Sequence, residues 1–119
     1  NYKKPILGIC AGMQILALIN GAKLKKAKEI GQVEIKTLKK DFLIEDIKKV
    51  YSLHQFSVTL PKGFELLARS SKSIQAIKKD NHYGLLFHPE VFNKEVINNF
   101  EKISPQQRAR LLNEKNLQF

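Results

Sequence analysis

Apolar and polar positions change period several times along this chain, and each change marks an element. Pro5, Ile6, Leu7 and Ile9 form a nearly continuous apolar run, broken only by Gly8, that reads as a short buried strand. From Ala11 to Asn20 the apolar residues Met13, Ile15, Leu16, Leu18 and Ile19 surround most of a helical circumference. Asn20-Gly21 supplies the stop, with Gly21 suited to the left-handed position after a helix. Extended segments are expected near 24–27 and 32–38, and strand-like alternation recurs near 49–53, 55–59, 64–70, 73–78 and 82–87. Pro61-Lys62-Gly63 and Lys79-Asp80-Asn81 are turn signals between strands. A helix over about 93–102 follows. Ser104-Pro105-Gln106-Gln107 then opens as a capping box with proline in the first turn, and predicts an amphipathic helix from Arg108 to Leu117. The chain therefore reads as an α/β domain over 1–103, with an antiparallel extension to its sheet, and a C-terminal helix over 104–119.

Composition narrows the function classes. A chain of 119 residues can bury one core, and 43% apolar residues without a long hydrophobic run describe a soluble globular protein. The pattern predicts no transmembrane span and no signal peptide. A single cysteine excludes an internal disulfide and fits a reducing cytoplasm. The formal net charge of +10 comes from lysines clustered at 23–28, 36–40, 48–49 and 78–79. Such charge attracts nucleic acid, steers an acidic partner or keeps the surface solvated. The lysines lack the interleaved aromatics of a base-stacking platform, so nucleic-acid binding is not the expected main role. No cysteine or histidine cluster has metal-ligand spacing, so neither a metal nor another cofactor is expected.

The chemistry concentrates at two segments. In Gly8-Ile9-Cys10-Ala11-Gly12 small residues let a strand turn sharply into a helix with the central side chain pushed outward, the pattern of a nucleophile elbow with sulfur in place of a hydroxyl. A helix N-terminus beside the thiol favours thiolate, the reactive form. The competing reading is that Cys10 is a small buried hydrophobe at a strand end. In Tyr83-Gly-Leu-Leu-Phe-His-Pro-Glu-Val91 a second apolar strand runs into a polar end. His88 can serve as a base, and Glu90, two residues on, can lie alongside it and orient it. Pro89 stiffens the link by keeping His88 out of helical geometry. Here the competing reading is a strand-end histidine and a helix-capping glutamate.

Together these motifs resemble the class I (triad) glutamine amidotransferases, closest to the glutaminase subunit or domain of GMP synthetases. Glu29-Ile-Gly31 resembles that family's Glu-x-Gly, and Leu60-Pro-Lys-Gly-Phe-Glu-Leu-Leu-Ala68 its hairpin before the last strands. The resemblance runs roughly from Lys4 to Phe100. It implies a three-layer, flavodoxin-like open sheet, mostly parallel, and an N-terminally truncated domain. The absent part of the family domain would carry the first strand and a Gly-Gly-Pro-type loop giving one oxyanion donor. The resemblance also implies a Cys-His-Glu triad of Cys10, His88 and Glu90, with the Ala11 N–H as an oxyanion-hole donor. Gln14 and the segment Ser52, Leu53 and His54 would bind L-glutamine. Ammonia would pass to a partner synthase subunit or domain. Phe56 departs from the acidic residue general at its place in GMP synthetases, and His82 matches no role in the family. Two other readings stay open, a non-catalytic regulatory or binding relative and a γ-glutamyl hydrolase-like cysteine amidase.

Overall fold

The computed structural model describes residues 4–103 and 110–112. Strand β1 (Ile6–Ile9) leads directly into helix α1 (Ala11–Ile19), as the change of period requires. The helix ends where Asn20 folds back, its side-chain Nδ2 donating to the Leu16 carbonyl at 2.8 Å, and Gly21 takes φ 94°. The next two expected segments merge into one long strand, β2 (Leu24–Glu34), followed by the short β3 (Lys36–Thr37). The segments expected near 49–53 and 55–59 likewise form a single strand, β4 (Lys49–Val58). β2 and β4 pair antiparallel as a two-stranded sheet of their own. Alternation could not reveal this ribbon, because β2 fully buries only one of its residues.

The remaining strands are β5 (Glu65–Arg69), β6 (Ile74–Lys79), β7 (His82–Leu85) and β8 (Arg110–Leu112). They join β1 and β3 in a six-stranded sheet of order β3-β5-β6-β7-β1-β8. β1 runs parallel to both β7 and β8, whereas β3, β5, β6 and β7 pair antiparallel in succession. The sheet is thus mixed. The mostly parallel arrangement expected from the resemblance is confined to the neighbours of β1, because tight turns join the later strands as hairpins. The helix expected over 93–102 is α3 (Lys94–Glu101), and a short helix that was not expected, α2 (Pro89–Phe92), precedes it, the two meeting at Asn93. At Arg110–Leu112 the chain is a strand rather than part of the expected C-terminal helix, and the rest of that expectation lies outside the described residues.

Strand alternation divides the core into two layers. Leu7, Ile9, Tyr83 and Leu85 pack on one face with Leu43, Ile44, Val96 and Phe100, the last two one helical turn apart on α3. On the other face Ile77 and Leu86 meet Met13, Leu16 and Ala17 of α1. Helical elements therefore cover both faces, a three-layer α/β arrangement.

Gly8 and Gly84 are register partners and lie under α1. A Cβ on Gly8 would stand 2.8 Å from the backbone carbonyl carbon of Gly12, while one on Gly84 would stand 2.7 Å from Met13 Cγ. The first obstacle is backbone and the second a flexible side chain. Gly8→Ala is expected to cost about 1–3 kcal/mol, the range for an overpacked core. Gly84→Ala should cost less, because Met13 can repack. Midpoints of urea unfolding for the two variants check the ranking.

Candidate active site

The turn between β1 and α1 is held from both sides. Cys10 N–H donates to the Leu85 carbonyl at 2.7 Å, and the Cys10 carbonyl accepts from Gln14 N–H at 3.0 Å. Between these anchors Cys10 adopts φ 52°, ψ −106°, a conformation that costs a non-glycine residue on the order of 1–3 kcal/mol. The close approach of Gly12 to Gly8 is what allows so sharp a reversal. The cysteine is buried, only 6% exposed, rather than presented to solvent as the elbow pattern suggests. Strand β4 crosses over it, and the thiol reaches the Leu53 carbonyl at 3.6 Å.

His88 closes the site from the other strand end. Its N–H donates to the Tyr51 carbonyl of β4 at 2.9 Å, and its backbone stays extended just before Pro89 opens α2. In this way β4 is tied to both halves of the site, at Tyr51 and at Leu53. His88 Nδ1 lies 2.9 Å from Glu90 Oε2. Its Nε2 is buried and makes no well-formed hydrogen bond. Interaction with the Cys10 thiol is the main cause that raises the His88 pKa to about 9, against burial, with the Glu90 hydrogen bond adding to the rise. Glu90 itself is half exposed at the first turn of α2.

The expected binding residues divide between two environments. Gln14 reaches from α1 to β4, its Nε2 donating to the Phe56 carbonyl at 2.8 Å. Ala11 is the first residue of α1, whose N-terminus receives no side-chain cap from Cys10. Leu53 and Gln55 face outward on β4 and, with Ile30 and His54, line a pocket of about 260 Å³. Ser52 and His54 point the other way, into the interior. Ser52 meets Gln75 Nε2 at 3.4 Å, and His54 Nε2 lies 3.2 Å from both Glu29 and Ser73 Oγ. Burial holds the His54 pKa below its ordinary value, and the nearby His88 pushes the same way, while Glu29 opposes both. The alternation of β4 is the reason one expected binding segment splits into a pocket wall and an interior face.

Sequence reasoning did not anticipate the polar interior behind β4. Glu29, Ser70, Ser73 and Gln75 are all buried and hydrogen-bonded to one another. The Glu-x-Gly segment marks Glu29 alone, and no motif marks the other three. Their signal is the accumulation of polar residues at inward positions of successive strands. A second hollow, of about 200 Å³ near Asp41 and Lys48, involves none of the expected site residues.

Comparisons with known proteins fit this geometry. The family model described as glutamine amidotransferase class-I matches residues 1–102. The chain is similar to a glutamine-hydrolysing GMP synthase subunit of Methanosphaera stadtmanae, 43% identical over 116 residues, covering 87% of this chain and 62% of that protein. It is 38% identical over 109 residues to the glutamine-hydrolysing GMP synthase of Aquifex aeolicus, covering 81% of this chain and 21% of that one. It thus spans about three-fifths of the Methanosphaera relative and about a fifth of the longer Aquifex one. Among solved structures, a Thermoplasma acidophilum chain put forward as a GMP synthase subunit superposes with a TM-score of 0.79 at 30% identity, over 86% of this chain and 58% of that one. A glutamine amidotransferase from Methylobacillus flagellatus follows with a TM-score of 0.66 at 25% identity, over 87% of this chain and 45% of that one. With a strand-to-helix cysteine, a proline-locked histidine and a matching model over most of its length, this chain belongs to the class-I glutamine amidotransferase family.

Proposed function

We propose that the chain hydrolyses the side-chain amide of glutamine and serves as the ammonia-supplying part of a GMP synthetase. The observation that carries this reading is His88, whose Nδ1 lies 2.9 Å from Glu90 while its buried Nε2 has no partner among the described residues, and whose ionisation Cys10 raises more than any other group. A base with one nitrogen oriented and the other directed at a nucleophile is the working part of a triad.

In this mechanism the Cys10 sulfur attacks the amide carbon as a thiolate whose proton already rests on His88, the ring being protonated at neutral pH with its pKa raised to about 9. The carbonyl oxygen becomes a tetrahedral oxyanion that accepts from the Ala11 N–H at the start of α1. Collapse of the adduct breaks the carbon–nitrogen bond. His88 returns its proton to the leaving nitrogen, releasing ammonia and leaving a glutamyl thioester. A water that loses its proton to His88 then attacks the thioester, and glutamate leaves as the thiol is restored. Gln14 and the outward edge of β4 at Leu53 hold the amino-acid end of the substrate. The Glu90 carboxylate keeps the His88 tautomer suited to both transfers.

The relatives' names support GMP synthesis as the destination of the ammonia, and the acceptor chemistry then belongs to a synthase unit. Exposed Ile30, Leu53, Phe56, Val91 and Phe92 lie on the same strands and helix as the site, and such a group of apolar side chains suits a docking surface. The test is labelling with a chloroketone analogue of glutamine. Saturable, stoichiometric modification of Cys10, prevented by excess glutamine, is the expected result. Modification by simple thiol reagents alone, with no saturation by the analogue, would reject the reading.

A further inference from the structure

Helix α2 is a single turn, closed by backbone bonds from Val91 N–H to the His88 carbonyl at 3.2 Å and from Asn93 N–H to the Pro89 carbonyl at 2.8 Å. A turn this short does not hold itself in water, because helix nucleation is unfavourable. His88 gives it no side-chain cap, and Pro89 is its one buried residue. Yet it carries Glu90, whose half-exposed carboxylate must stay 2.9 Å from His88 Nδ1. An exposed pair of this kind holds weakly on its own. Something else therefore sets where Glu90 stands.

Tyr51 of β4 meets that need. Its carbonyl accepts from the His88 N–H at 2.9 Å, just before the turn. Its ring meets the ring of Phe92, the last residue of the turn, edge to face, with centroids 6.5 Å apart and planes at 82°. In that geometry the positive edge of one ring faces the negative face of the other. One residue thus grips α2 on both sides of the carboxylate, by main chain before Glu90 and by ring after it. Any residue at this position could supply the carbonyl, so the ring is the part that calls for a reason.

We propose that Tyr51 is a positioning residue of the candidate active site, its ring holding Phe92 so that the turn keeps the Glu90 carboxylate on His88 Nδ1. The effect on turnover rests on the glutaminase reading, whereas the hold on Glu90 does not.

Nitrogen NMR of the His88 ring and ammonia release from glutamine test it on the intact chain. Tyr51→Leu keeps the carbonyl and removes the ring. Because Glu90 raises the ionisation of His88, this variant should lower the His88 midpoint in the same direction as Glu90→Gln, and by no more. In a Glu90→Gln background it should add nothing. Cys10 and His54 act on the same ring, so that background isolates the Glu90 route. Turnover by Tyr51→Leu should fall in kcat by about two- to twelvefold, the population that loss of one aromatic pair displaces, with KM unchanged. Phe92→Leu, at a partly exposed position, should reproduce both effects, and the two substitutions together should do no more than either alone. Tyr51→Phe keeps the ring and should behave as the wild type does. A Tyr51→Leu protein with an unmoved His88 midpoint would overturn the proposal. So would a full further shift in the Glu90→Gln background, additive losses for the pair, or Tyr51→Phe as impaired as Tyr51→Leu. Wild-type protein that releases no ammonia counts against the glutaminase reading instead, and the His88 titration then decides the proposal by itself.

Discussion

Cys10→Ala will release no measurable ammonia from glutamine, a loss of at least about 10⁴-fold, because no other side chain can form the thioester. The fold should survive, since the thiol fills little volume and its hydrogen bond to the Leu53 carbonyl is a long one of 3.6 Å. Stability adds a second, independent readout. At φ 52° and ψ −106° alanine is strained as cysteine is, whereas glycine is not. Cys10→Gly should therefore be more stable than Cys10→Ala, by about 1–3 kcal/mol if the full strain is relieved. An ordinary buried hydrophobe predicts the reverse order, because glycine removes a methyl and adds backbone freedom. Urea unfolding of both variants separates the cases. Alanine at or above glycine in stability would mean that the elbow stores no strain, and ammonia release by pure Cys10→Ala protein would dismiss the nucleophile outright.

The two halves of the site were legible because each is a short segment whose local rules are strict. A four-residue apolar strand followed by small residues and a helical period can hardly do other than turn at Cys10, and His-Pro-Glu pins an extended histidine to the first turn of α2. The burial of Cys10 was not legible, because it depends on β4 crossing the elbow, a contact made 43 residues away along the chain. The hairpins of β5 to β7 follow from element order and turn signals. The split of the β2–β4 ribbon from the main sheet does not, because a strand that fully buries only one residue, a glutamate, has no apolar face to announce its partner. The burial of Glu29, a residue the Glu-x-Gly segment did mark, was hidden for a related reason. Its inward direction is created by a bulge in pairing, and a one-residue slip reverses every side chain without altering composition. At Arg110–Leu112 the leucine-rich pattern suits helix and strand alike, and pairing with β1 decides for strand.

His88→Asn should lower glutamine turnover by about 10²–10⁴-fold, the contribution of a positioned acid–base group, while chloroketone binding before alkylation persists. The ionisation of His88 tells why. In the folded protein it is raised from 6.5 to about 9, first by the Cys10 thiol, with burial opposing and Glu90 assisting. Nitrogen NMR should therefore find the ring still protonated at neutral pH. Cys10→Ala should move the midpoint well down, since it removes the largest cause, and Glu90→Gln should move it by less. Stability carries the same signature with a definite sign. A histidine whose folded pKa is raised stabilises the fold fully below 6.5, and that contribution disappears as pH rises through about 9. The urea midpoint of the wild-type chain should thus fall between neutral pH and pH 9 more steeply than that of Cys10→Ala. A His88 midpoint near 6.5 in the wild type, or one that Glu90→Gln shifts while Cys10→Ala does not, would mean that sulfur and ring are not coupled. The imidazole would then have no route to the thiol proton, and the proposed hydrolysis would lose its base.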